Sequence, residues 1–343
     1  MAGTDAQSAN GMKAPFVTVI MPVRNEGDHL RYSLGAVLAQ DYPHDCFEVI
    51  IADGFSHDQT RSIARKTAAQ CPDVCVTILD NPQRIVPTGF NLALAQAKGE
   101  YIVRVDGHTV IARDYLREIV AAFERSNAEN VGGRSDAVSV TPLGRAIAIA
   151  TSSPFGVGGG RFHYSQLEEY VDTVYMGAWR RDLFERIGGF DEEFVRNQDD
   201  EFNYRLRAHG GKILLTPRIR SSYSNRSTFL SLWRQYFLYG CWKIRVLQKH
   251  PRQMQPRQFA PPSLTAALIG TGLFALVSIW GRRLFALVIG AYALANGAAS
   301  LYTASKRGWQ HLIYLPAIFA TLHLSYGIGF LWGLVKFWRR WHG

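Results

Sequence analysis

Acidic residues run out early in this chain. Between Arg205 and Arg257 there are none, and none follows Pro262, although the 343 residues carry 28 Asp and Glu against 38 Lys and Arg. The formal net charge is +10, which suits anionic partners such as phosphates or an anionic bilayer surface. No nucleic-acid recognition motif accompanies that charge, so nucleic acid is not an expected partner. Cysteine is also sparse: Cys46, Cys71, Cys75 and Cys241 are all there is. Cys71 and Cys75 have no His or Cys neighbours in a zinc-ligand spacing, so the thiols are expected to be reduced and structural, as on a cytosolic face. Residues 1–14 lack an apolar stretch; a flexible N-terminus is expected there, not a signal peptide. The dinucleotide fingerprint G-x-G-x-x-G and the Walker pattern are both missing, which disfavours a dehydrogenase and a P-loop enzyme.

What is present begins with alternation. Phe16–Met21, Phe47–Ala52, Val74–Leu79 and the stretch from Tyr101 read as buried strands. Helical patterns separate them over about 28–39, from Ser56 (a plausible N-cap, with Asp58 in the first turn) and over about 87–97. Strand and helix in this order imply an α/β domain with a mostly parallel sheet covered on both faces. Ligands of such sheets bind beyond the carboxyl ends of the strands. Polar groups stand at all four ends: Pro22 to Glu26, Asp53, Asp80 and Asp106. The last is part of Asp106-Gly107-His108, a carboxylate and an imidazole two residues apart around a glycine. Such donors suit Mn²⁺ or Mg²⁺, and a divalent ion there could hold a diphosphate.

Further along, a helix is expected over about 113–125 and a strand near Val131. The Gly- and Pro-rich stretch 152–160 reads either as a mobile or strained loop or as a plain linker. Residues 170–177 read as one strand and 188–191 as a turn. Asn197 to Arg207 reads as a helix entered through Asp199, Asp200 and Glu201. Acidic residues there favour the helix dipole, and one of them could equally serve as a general base. Residues 228–250 mix aromatic, apolar and basic side chains, as suits a helix in a membrane interface.

Three apolar stretches follow, 260–280, 284–303 and 312–335, each near the ~20 residues that a bilayer span needs. Trp280, Trp309, Trp332 and Trp338 suit interfacial belts. With a cytosolic N-terminal domain, three full crossings would leave Lys336, Arg339 and Arg340 outside, against the positive-inside tendency. A re-entrant segment, or a third stretch divided into two short passes, would remove that conflict.

Four segments together, VTVIMPVRNEG (17–27), IADGFSHDQT (51–60), GEYIVRVDGH (99–108) and 188–205, resemble the inverting family 2 glycosyltransferases with a GT-A fold, and most of all the bacterial succinoglycan and exopolysaccharide glucosyltransferase group. The resemblance covers about residues 15–250. It implies a GT-A catalytic domain over 15–225, an amphipathic interfacial region over 226–258 and a membrane domain over 259–343. It implies that Pro22, Arg24, Glu26, Asp53 and Asp80 line a nucleotide pocket, that Arg84 approaches the sugar diphosphate, and that Asp106 and His108 hold Mn²⁺ or Mg²⁺. Asp199 matches the catalytic Asp of the family, with Asp200 the second choice. Arg234, Gln235 and Trp242 lie where relatives place diphosphate- or acceptor-binding residues, although the usual Q-x-x-R-W is not spelled out. Transfer of one sugar is therefore expected, not processive synthesis.

The implied partners are a nucleotide-sugar, with UDP-glucose the family preference, a polyprenyl-diphosphate-linked saccharide and membrane lipid. The implied location is the bacterial inner membrane with the catalytic domain on the cytoplasmic side. Two other readings stay open: a polyprenyl-phosphate glycosyltransferase making a lipid-linked monosaccharide, and an inactive transferase-like membrane scaffold.

Overall fold

In the computed structural model the described residues are 13–158, 160–253 and 255–341. The expected flexible N-terminus lies almost wholly outside them. The chain opens with β1 (Val17–Val23), α1 (Leu30–Leu38), β2 (Phe47–Asp53), α2 (Thr60–Ala68), β3 (Cys75–Asp80), α3 (Val86–Leu94) and β4 (Tyr101–Arg104). These strands pair in parallel in the order β3-β2-β1-β4. Val23, Asp53 and Asp80 fall opposite one another in register, so three strand ends share one edge.

One expectation needs correction here. Ser56 does not cap α2: its hydroxyl donates to Asp53 Oδ1 at 2.6 Å. The helix begins at Thr60, whose amide donates to Asp58 Oδ1 at 2.9 Å.

The second half is β5 (Thr109–Ile111), α4 (Tyr115–Arg125), β6 (Asn130–Val138), α5 (Pro142–Thr151), α6 (Pro154–Val157), β7 (Glu169–Val171), β8 (Tyr175–Arg180), α7 (Arg181–Ile187), α8 (Gln198–Ala208) and β9 (Ile213–Ser224). The strand expected over 170–177 is thus two short ones. β7 pairs with β9 and β8 lies between β4 and β6, both antiparallel to their partners. The sheet is parallel through β4 and mixed beyond it. Residues 152–158 are neither a bare linker nor an open loop, because α6 occupies their middle, capped by the Ser153 hydroxyl accepting from the Gly156 amide at 3.1 Å.

Side chains of β1 alternate between two cores, as the two-residue period of a strand requires. Val17, Val19 and Met21 join the core built with α1 and α4, and Ile20 joins the core on the other face. That second core is aromatic: Phe90, Phe184, Phe190 and Phe202 surround the buried Trp179. It fastens α8 to the sheet and so fixes where Asp199 stands.

Beyond the sheet come α9 (Phe229–Lys249), α10 (Pro256–Val277), α11 (Ile279–Arg307) and α12 (Leu315–Lys336). The last three are long and apolar enough to cross a membrane, but they are not alike: 11% of the most apolar window of α10 and of α11 is buried, against 44% for α12. α10 and α11 form a hairpin broken only at Ser278, where Arg282 Nε donates to the Ala275 carbonyl at 3.2 Å. α12 instead lies along α9 in the same direction, since Phe237 meets Gly329, Cys241 meets Gly333, and Gln248 donates to the Phe337 carbonyl at 3.0 Å.

Glycine permits this contact: a Cβ on Gly329 would stand 2.0 Å from the Phe237 carbonyl oxygen, and one on Gly240 2.1 Å from that of Tyr326. Basic residues of α9 do not all face outward, as an interfacial helix alone would suggest. Lys243 pairs with Asp200, Arg245 with Glu193, and Lys249 with Asp191 and Glu193. The carboxylates ahead of and at the start of α8 draw them inward.

Candidate active site

The strand ends are stitched together before any side chain reaches a ligand. Asn25, in a left-handed conformation, gives its amide to the Ser56 hydroxyl at 2.9 Å and accepts from the His57 amide at 3.1 Å. Asp53, 2% exposed, accepts from both the amide and the hydroxyl of Ser56. Asp80 accepts from Arg61 at 2.5 Å. These two aspartates hold the loops that frame the site. Arg84, also left-handed, lays its guanidinium 5.7 Å from the centroid of the Phe55 ring.

At the end of β4 the backbone comes close to β1. A Cβ on Gly107 would stand 2.9 Å from Glu26 Cγ and 3.0 Å from Val23 Cγ1, so glycine is required for this approach. It places Asp106 and His108 on one short turn. Asp106 accepts from Arg104 Nε at 2.8 Å and Nη2 at 3.2 Å, while Arg104 Nη1, buried, has no partner among the described residues. His108 Nδ1 lies 3.1 Å from Glu26 Oε1. Burial opposes a charge on this imidazole, but the Glu26 hydrogen bond and the Asp106 carboxylate outweigh it and raise its pKa.

From the opposite side α8 presents Asp199, whose Oδ1 accepts from the Asp200 amide at 3.0 Å. Its pKa is raised. Desolvation is the largest cause, the charges of Asp200 and Asp106 add to it, and Arg104 works against it. Asp200 is ion-paired with the buried Lys243.

Asp199 and Asp200 line the same cavity of about 1430 Å³ as Pro22, Arg24, Glu26, Arg84, Asp106 and His108. Arg234 and Gln235 of α9 line it too. Trp242 does not: it packs against Phe337 at 5.4 Å between ring centroids, with Lys336 over its ring. Asp53 and Asp80 also lie outside the lining.

Several lining residues escaped the sequence reading. Arg104 was one charge inside an apolar strand. Arg196 and Arg226 carried no pattern, yet both line the cavity and, like Arg234, pair with no carboxylate among the described residues. His163 also lines it with Nδ1 unpartnered among the described residues, and burial pushes its pKa down to about 4. Only the fold brings these residues to the cavity.

Asp106 and His108 both line the cavity and are of donor types that a divalent ion accepts. No group of three potential ligands occurs among the described residues, so the other coordination positions would fall to diphosphate oxygens and water.

A sequence profile supplies the family. The Glycosyl transferase family 2 profile matches residues 18–188, which run from β1 to the end of α7 and include Asp106 and His108. This chain is a family 2 glycosyltransferase. The glycosyltransferase is 29% identical over 337 residues to the succinoglycan biosynthesis protein ExoA of Rhizobium meliloti, covering 97% of this chain and 99% of that one. It is 26% identical to a dolichyl N-acetyl-alpha-D-glucosaminyl phosphate 3-beta-D-2,3-diacetamido-2,3-dideoxy-beta-D-glucuronosyltransferase of Methanococcus voltae, covering 94% and 98%. Its fold is similar to that of the mannosyltransferase PcManGT of Pyrobaculum calidifontis, solved with GDP-Man and Mn²⁺, with a TM-score of 0.58, 23% identity, and 93% and 87% of the two chains covered. The Rhizobium and Methanococcus relatives match the family 2 glycosyltransferase over nearly its whole length, into the three apolar C-terminal helices.

Proposed function

We propose that this glycosyltransferase moves one sugar, with inversion, from a nucleotide-sugar to a hydroxyl of a polyprenyl-diphosphate-linked saccharide, in the assembly of a bacterial exopolysaccharide. The observation that carries the reading is one cavity that holds Asp106, His108 and Arg84 on one side, Asp199 on the other, and runs on to the apolar helices. The Rhizobium relative is named for succinoglycan biosynthesis and the Methanococcus relative for a dolichyl-linked sugar phosphate. UDP-glucose is the preferred donor on the resemblance to the former group.

In this reading the nucleotide lies against Pro22, Arg24 and Glu26, and Arg84 meets the diphosphate. Asp106 and His108 would hold a divalent ion, Mn²⁺ or Mg²⁺, which when bound neutralises charge on the diphosphate. Arg104 orients Asp106. Asp199 takes the proton of the acceptor hydroxyl as its oxygen attacks the anomeric carbon from the face opposite the leaving group. Its raised pKa suits that role, because a base works best when its pKa approaches the working pH. Lys243 engages Asp200 in an ion pair and so leaves Asp199 as the carboxylate that takes the proton. Arg196, Arg226 and Arg234 supply positive charge for the phosphates of donor or acceptor. In this reading the catalytic domain lies on the cytoplasmic side of the inner membrane.

The test is nucleoside diphosphate release from a panel of UDP- and GDP-sugars in membranes, with Mn²⁺, Mg²⁺ or chelator, with and without lipid-linked sugars. One donor consumed only with metal and with a lipid-linked saccharide supports the reading. Transfer to bare polyprenyl phosphate would replace the acceptor assignment, and turnover indifferent to chelator would remove the metal.

A further inference from the structure

The cavity is larger than a donor needs. Its volume of about 1430 Å³ exceeds the roughly 300–1,000 Å³ of a small-molecule site. Past Asp199 its walls change character. The lining there includes Phe155 and Val157 of α6, Leu264 of α10, Tyr292 of α11, and Leu322 and Tyr326 of α12. The carboxylate that lines the cavity here, Asp172, is held by Gln255 and Arg257 at the start of α10, whereas Arg196, Arg226 and Arg234, which pair with no carboxylate among the described residues, belong to the same cavity.

His323 lies in this lining and is satisfied from within it. His323 Nε2 lies 2.8 Å from the Phe155 carbonyl oxygen, which can only accept, so the ring proton is on Nε2. Nδ1 then accepts from the Tyr292 hydroxyl at 3.0 Å. Phe155 also sets its ring edge-on to Phe319 and His323. A membrane-helix histidine thereby holds α6 in place as a wall.

We propose that this arm receives the first isoprenoid units of the lipid-linked acceptor, with the His323–Tyr292 pair fixing α6 as one wall. The inference deepens the acceptor reading above and rests on it. Continuity decides the occupant. The arm opens from the catalytic carboxylates toward α10 and α11, whose outer faces expose Ile269, Leu273, Leu287 and Leu294. A chain that enters from those faces can leave its tail in lipid while its sugar reaches Asp199. A water-soluble acceptor would gain nothing from walls contributed by membrane helices.

The experiment compares the full-length enzyme in nanodiscs with Leu264→Trp and, as a second filling variant, Val157→Trp. Three readouts are taken: donor hydrolysis without acceptor, transfer to the acceptor sugar on a methyl diphosphate, and transfer to the same sugar on a long prenyl diphosphate. Photocrosslinking uses a prenyl diphosphate carrying a diazirine on its second isoprene unit. Expected are crosslinks to peptides containing Val157, Leu264 or Leu322. In the Trp variants KM for the prenyl acceptor should rise about tenfold, corresponding to roughly two methylenes kept from burial. Donor hydrolysis and transfer to the methyl acceptor should stay unchanged. If the wild type prefers the prenyl acceptor but both variants use it equally well and crosslinks fall elsewhere, the arm is overturned and the acceptor reading stands. If the wild type uses the methyl and prenyl acceptors with the same KM, the lipid-acceptor reading fails and takes the arm with it.

Discussion

Replacing Asp199 with Asn isolates the proposed base with little structural disturbance. The amide keeps an oxygen to accept from the Asp200 amide, a bond of 3.0 Å in the native protein, and it keeps the side-chain size at the cavity wall. It cannot take a proton. Loss of a positioned base costs about 10²–10⁴-fold, or about 3–5 kcal/mol of transition-state stabilisation, and the loss should fall on kcat with KM for the donor unchanged.

The fold should respond in the opposite direction. Desolvation and the Asp200 and Asp106 charges raise the pKa of Asp199 above the usual 3.8. The folded state therefore holds this proton more tightly than the unfolded chain does. Stability from this group is full below the ordinary Asp pKa and declines as pH rises toward the raised value. Asn loses nothing over that window, so Asp199→Asn should melt no lower than wild type at pH 7, with any advantage vanishing at pH 3. The wild-type rate should also climb with pH through the raised pKa, and that limb should be absent from the residual rate of the variant. Single-turnover transfer from radiolabelled donor and calorimetric melting across pH measure both. Near-normal transfer by the variant would refute the assignment and point to Asp200, and loss of donor binding along with transfer would refute a role confined to proton removal.

Four further outcomes follow from the same geometry. Asp106→Ala leaves Arg104, 6% exposed, without its carboxylate; breaking such a buried pair costs about 3–5 kcal/mol, readable in urea unfolding, whereas an unchanged midpoint would mean that Arg104 re-pairs with Asp199. His108→Ala should raise the Mn²⁺ or Mg²⁺ concentration needed for half-maximal donor turnover while leaving the fold intact, and no change in that requirement would free His108 from the metal. Gly329→Val places a side chain where a Cβ already meets the Phe237 carbonyl oxygen at 2.0 Å. Overpacking of this kind costs about 1–3 kcal/mol or more, so the melting temperature in detergent should fall; an unaltered one would mean that α9 and α12 are not in contact.

The fourth concerns topology. Both ends of α12 touch the catalytic domain: Ile318 and Phe319 pack with Ala146 and Ile147, and Arg340, just past its end, pairs with Glu193. A cysteine at Arg339 should therefore react with an impermeant maleimide added on the side of the catalytic domain. Reaction from the other side only would make α12 a full crossing.

The sequence by itself determined much of the catalytic half. Alternating apolar strands and helices implied a parallel sheet through β4, because period-two and period-3.6 patterns are local. Strand ends rich in Asp and Arg pointed to the carboxyl edge where the cavity lies. Asp199 was legible as an acidic helix entry and Asp106-Gly107-His108 as a turn at a strand end. Apolar length marked α10, α11 and α12 as candidates to span a membrane.

Tertiary structure decided what each charge does. Lys243 and Arg245 read as basic residues of an interfacial helix, yet they turn inward because Asp200 and Glu193 stand beside them. Asp53 and Asp80 read as ligand-facing carboxylates, yet they tie loops together through Ser56 and Arg61. The antiparallel insertion of β8 and the division of 170–177 into two strands depended on pairings far apart in the chain. Whether α12 faces lipid or protein could not be read from its composition, since an apolar helix satisfies its backbone equally well in either setting. The bare glycines that let it lie against α9 settled that, and a glycine's partner is visible only once the chain has folded.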